Sequence, residues 1–75
     1  SIRFDLPEAS PVTLRIYNSA GQLVKTLVQA DMAAGIHTAT WDGRDHAGRI
    51  SASGIYFYEI RAGEFQSTRK LAFTK

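Results

Sequence analysis

Apolar and polar residues alternate along this chain in short bursts, and turn residues break the alternation about every 8–12 positions, as successive β-strands do. Ile2, Phe4 and Leu6 fall on one face of a first strand, which Pro7 ends by removing a backbone donor. Val12, Leu14 and Ile16 form the inward row of a second strand, with Thr13 and Arg15 turned outward. Asn18-Ser19-Ala20-Gly21 is a turn, in which Gly21 is placed to take positive φ and return the chain into a third strand, Leu23–Val28. Gln29–Gly35 is expected to be a loop. Ala30, Met32, Ala33 and Ala34 have helical propensity, but so short a run ending in Gly supports one helical turn at most.

Ile36–Trp41 resumes strand, with His37, Ala39 and Trp41 on one face and Ile36, Thr38 and Thr40 on the other. Asp42–Arg49 is a loop or a tight connection, and Ile50–Ala52 is a candidate short strand. Ile55–Ala62, a two-residue turn at Gly63-Glu64, and a last strand from Phe65 to about Thr74 make the clearest hairpin in the sequence. Six or seven short antiparallel strands need two sheets to cover each other's apolar faces, so the chain is expected to be an all-β antiparallel sandwich. Leu14, Ile16, Trp41, Tyr56, Tyr58, Leu71 and Phe73 supply the bulk for one such layer and are the expected core. Trp41 in particular is expected to pack between the sheets, and Gly21, Gly43, Gly48, Gly54 and Gly63 to serve backbone reversals.

Length and charge narrow the function classes. Seventy-five residues make one domain, residues 1–75, with no room for a second core. With no Cys, disulfides and thiolate zinc sites are excluded. The formal charge is only +2 and the basic residues are spread along the chain, which argues against nucleic acid as a partner. No apolar run approaches the roughly 18 residues of a membrane span, so no membrane insertion is expected.

Candidate chemistry is sparse. His37 shares strand phase with Ala39 and Trp41 and reads as a hydrogen-bonded side chain near the core edge, while His46 reads as a solvated loop residue. Neither has a serine beside it in a nucleophile-elbow context, so no catalytic residue is assigned. Asp42 and Asp45 raise a calcium reading, but the loop lacks the five or six set oxygen positions of an EF-hand, and Arg44 lies between them. Asx-type turns account for both carboxylates, and no metal or cofactor is expected. Trp41, Tyr56, Phe57, Tyr58, Phe65 and Phe73 raise a sugar-stacking platform, against the plainer reading that a central strand carries bulk on both faces. The basic end, with Arg69, Lys70 and Lys75, is either an edge strand guarded by outward charges or an interaction surface read by another protein.

The ordered set Leu6-Pro7, Val12-x-Leu14-x-Ile16-Tyr17-Asn18-x-x-Gly21, Ala34-Gly35-x-His37, Trp41-Asp42-Gly43-x-Asp45-x-x-Gly48, Ser53-Gly54-Ile55-Tyr56-Phe57-Tyr58 and Thr68-Arg69-Lys70-Leu71 runs through nearly the whole chain. It resembles the Ig-like module shared by flagellar hook-capping proteins and by the C-terminal sorting domains of type IX secretion cargo. The resemblance implies an Ig-like or fibronectin III-like sandwich of about seven strands, non-catalytic and monomeric. The terminal basic–apolar strand tips the expectation toward a sorting domain at the C-terminal end of a larger secreted bacterial protein. Such a domain would direct an attached enzyme through the periplasm to the cell surface or medium. Its partners would be the secretion machinery or neighbouring domains of the parent, met through Arg69, Lys70 and Lys75. The alternatives are a structural spacer or hook-cap module and a carbohydrate-binding accessory domain.

Overall fold

The structure, a computed structural model, describes all 75 residues. Six strands form, where about seven were expected: β1 (Ile2–Leu6), β2 (Ser10–Asn18), β3 (Leu23–Met32), β4 (Gly35–Ala39), β5 (Gly54–Ala62) and β6 (Phe65–Phe73). They make two sheets, a small one of β1 and β4 and a larger one in the order β3-β2-β5-β6, with every pairing antiparallel. The inward rows read from the sequence meet between them. Ile2 and Leu6 of β1, Val12, Leu14 and Ile16 of β2, and Tyr56 and Ile60 of β5 form the buried core, with Leu14 and Ile16 fully enclosed. Trp41, Tyr58, Leu71 and Phe73 are half-buried and pack against that core from its margins.

Two hairpins give the large sheet its register. At the first, the Asn18 side-chain oxygen accepts the N–H groups of Ala20 and Gln22 at 3.0 and 2.9 Å, so one short polar side chain shapes the whole reversal. At the second, the turn at Gly63 is fastened to β2 by its N–H, which donates to the Pro11 carbonyl at 3.3 Å.

Three expectations are corrected. The loop expected over Gln29–Gly35 shrinks to Ala33-Ala34: β3 continues to Met32, because Gln29, Ala30, Asp31 and Met32 find ladder partners in Thr13, Val12, Pro11 and Ser10. Cross-strand pairing overrides a weak helical propensity. Ile50–Ala52 is not a strand, since Ile50 makes only an isolated bridge to Arg44. β4 stops at Ala39, so Trp41 stands beyond the strand at one end of the sandwich rather than between the sheets.

β3 also departs from simple alternation. Its pairing with β2 slips between Leu14 and Arg15 and again between Ile16 and Tyr17, which leaves Leu27 and Val24 as extra residues. The slips let Val24, Leu27, Val28 and Met32 all pack toward the core, a spacing that a regular strand cannot bury on one face.

Candidate functional site

Residues 40–53 bridge β4 and β5, and the most distinctive chemistry of the chain is spent on folding this segment. The Asp42 carboxylate accepts the Arg44 N–H at 3.0 Å. That of Asp45 accepts two more, from Ala47 at 2.9 Å and Arg49 at 3.0 Å, and pairs with the Arg49 guanidinium at 3.3 Å. The Arg49 N–H, with the Ala47 N–H and the Arg49 charge behind it, holds the Asp45 carboxyl below its usual range against an opposing contribution from burial. Arg44 in turn donates to the Gly48 carbonyl at 2.7 Å, and Ser51 N–H donates to the Gly43 carbonyl at 2.8 Å. The carboxylate oxygens thus face loop amides. No group of three or more His, Cys, Asp or Glu side chains converges to hold a cation.

An aromatic cluster pins this loop to the sandwich. The Trp41 ring lies 5.1 Å from Tyr56 and 5.0 Å from Phe73, and Tyr56 meets Phe73 edge-on at 6.2 Å. Edge-to-face contact satisfies the ring quadrupoles, and the polar tips are satisfied too. Trp41 Nε1 donates to the Arg44 carbonyl at 3.0 Å and the Tyr56 hydroxyl to the Ala52 carbonyl at 2.6 Å. Gly43, at φ +81°, lies so close to Phe73 that a Cβ would overlap the ring. On the opposite flank His46 N–H donates to the carbonyl of Val24, one of the extra residues of β3, at 3.2 Å. The loop therefore crosses the whole end of the large sheet, from β3 to β6. These rings face one another and do not form an open platform.

The remaining polar residues are dispersed. His37 bonds through Nε2 to the Ala33 carbonyl at 2.7 Å and stacks on Phe4 at 5.5 Å, on the small sheet. His46 is exposed in the loop. Gly21, Gly48, Gly54 and Gly63 sit at reversals or strand starts, all with positive φ.

The basic end is arranged otherwise than expected. Arg69 pairs with Tyr58, so it projects from the inner face of β6, whereas Lys70 pairs with Phe57 and projects from the outer face. Lys75 N–H is tied to Ser53 Oγ at 3.1 Å near the start of β5. Arg69 and Lys70 therefore cannot belong to one outward patch. Sequence reasoning missed what the inner row of β6 does. Phe65, Ser67 and Arg69 share the phase of Leu71 and Phe73, yet Phe65 is 61% exposed and Arg69 is exposed as well. Two polar residues in an inward row were the available signal that no strand covers this half of β6.

The profile of the FlgD Ig-like domain matches residues 1–64, from β1 through the Trp41 loop to the β5–β6 turn. This chain belongs to the FlgD Ig-like domain family. Two curated relatives agree: the basal-body rod modification protein FlgD of Salmonella typhimurium and that of Salmonella typhi are each 39% identical to it over 54 residues. That alignment covers 72% of this chain and 23% of each relative, so the match spans about a quarter of a FlgD chain. Of the two resemblances drawn from the sequence, the flagellar one is thus the one the relatives share. A FlgD Ig-like domain is, in this structure, a six-stranded sandwich closed at one end by the Trp41 loop.

Proposed function

We propose that this FlgD Ig-like domain is a structural module of the flagellar hook-cap type, with no catalytic role. It serves as a rigid body through which a longer protein meets its neighbours outside the cytoplasm. The observation that carries the reading is the family match over residues 1–64. The arrangement of the loop is in keeping with it, since Asp42, Asp45, Trp41 and Tyr56 direct their polar atoms to the domain's own backbone. The sorting reading has less support, because Arg69 and Lys70 leave β6 on opposite faces.

The test is exchange. The matching segment of Salmonella typhimurium FlgD is replaced by this chain in a strain without its own copy, and swimming is scored on soft agar. Restored motility is the expected result. A chimaera that accumulates to normal levels and leaves the cells non-motile overturns the proposal.

A further inference from the structure

The large sheet has an outer face as well as the inner one that builds the core. On its two central strands Arg15 and Tyr17 of β2 and Phe57 and Glu59 of β5 alternate with the buried rows, and so point outward. Tyr17 and Phe57 pair directly across the two strands. Both are half-buried, yet neither belongs to the core or packs against it. Two aromatic side chains at the middle of an outward sheet face form the kind of apolar surface that marks a contact with another protein surface.

The neighbouring row is charged, and its charges are unevenly settled. Arg15 stands opposite Glu59. The Glu59 carboxylate is nevertheless engaged elsewhere, accepting from Arg61 Nε at 3.1 Å and from Gln66 Nε2 at 3.0 Å. The ion pairs of the domain are Arg49 with Asp45 and Arg61 with Glu59, so Arg15 carries a charge without a partner. Its Nε is shut away from water and has no acceptor. A guanidinium nitrogen in that position gains from any carboxylate brought over it, and a carboxylate with two bonds still has lone pairs to offer. Across all four strands this row reads Thr26, Arg15, Glu59, Thr68, and the aromatic row reads Leu23, Tyr17, Phe57, Lys70.

We propose that this face is an interface between two copies of the domain, stacked outer sheet on outer sheet about a twofold axis. The axis runs with the strands, midway between β2 and β5. Turned about it, β2 of one copy lies over β5 of the other, and each row meets its own mirror image: Arg15 over Glu59, Tyr17 over Phe57, Thr26 over Thr68. At the margin the stem of Lys70 covers Leu23 while its ammonium reaches water. Two sheets aligned in this way pack about 10 Å apart, a layer that aromatic side chains from both faces fill. An axis across the strands does not serve, because it sets Arg15 on Arg15 or carries Glu59 out of reach. The order of residues favours a second copy over an unrelated surface, since each row complements its own mirror image in both charge and bulk. The pairing is a property of the domain's own face, whichever assembly carries it.

The test follows the isotope-labelled 75-residue chain by sedimentation and NMR from micromolar to millimolar concentration. A monomer–dimer equilibrium is expected, with concentration-dependent shifts at Arg15, Tyr17, Thr26, Phe57 and Thr68 and none at Trp41 or Phe65. Arg15→Glu and Glu59→Arg, each checked for a folded spectrum, should each weaken self-association by about tenfold or more. Mixed in equal amounts the two variants should pair again, because each then sets its like charges over the opposite ones. Tyr17→Thr, which keeps a strand-forming residue, should weaken the parent's association by a similar factor without touching a charge. The proposal is overturned if the parent stays monomeric at millimolar concentration, if its shifts fall on another face, or if the mixed charge variants associate no better than either alone.

Discussion

At its C-terminal end the inner face of β6, through Leu71 and Phe73, lies under Trp41 and the loop that follows it. At its N-terminal end, through Phe65, Ser67 and Arg69, the same face of the same strand opens onto a groove. Pleat and pairing with β5 are continuous across the two halves, so local structure does not distinguish them. What differs is the layer above. A loop anchored at β3 closes one end, while the small sheet, two strands wide, fails to reach the other. Stability in so small a domain should therefore concentrate at the closed end and be almost indifferent to the open one.

The largest expected effect is at Trp41. Truncation to Ala removes both ring contacts and the bond to Arg44, and should cost about 3 kcal/mol, toward the low end for a large aromatic because the ring is half-buried. Urea denaturation reads it, and a loss below about 1 kcal/mol would break the contrast between the two ends. Gly43→Ala comes next, at about 1–3 kcal/mol from overpacking against Phe73 with added strain at positive φ. Combining it with Phe73→Leu should recover part of the loss, and strict additivity would show that the ring is not what the new methyl meets. Tyr56→Phe deletes the hydroxyl bond to Ala52 and should cost about 1 kcal/mol in the same assay.

Acid provides a gentler probe of the closed end. Asp45 is held below its ordinary pKa in the folded state, so its contribution is full above the usual carboxylate range and is lost as pH falls through the depressed value. Asp45→Asn should flatten the acid side of a melting-temperature profile, and a profile identical to that of the parent would remove Asp45 from the loop's design. At the open end, Phe65→Ser and Arg69→Ala should each stay within about 0.5 kcal/mol of the parent by urea denaturation.

Much of this was legible in the residues. The rows Ile2–Leu6 and Val12–Ile16, the turns at Gly21 and Gly63 and the Asx chemistry of Asp42 and Asp45 follow from period-two alternation and local hydrogen bonding, which the chain carries in short windows. What escaped depends on residues far apart. Ala30–Met32 becomes strand only because Ser10–Val12 lies alongside, and the spacing of Val24, Leu27, Val28 and Met32 imitates a helix until two slips in pairing explain it. Arg69 reads as an outward guard unless its position opposite Tyr58 is known. The exposure of Phe65 and Arg69 depends on what lies above β6, which no window around β6 can reveal.

Those two slips have a further consequence. β3 is the longest strand of the domain and forms an outer margin of the large sheet, the sort of straight apolar ribbon on which fibrils grow by stacking copies. Leu27 and Val24 interrupt its ladder at two points and sharpen its coil, while His46 engages the Val24 carbonyl from the side. The ribbon is thereby denied the flat, uninterrupted stretch that in-register stacking requires. A small domain can then keep a long outer strand without offering it as a template for amyloid.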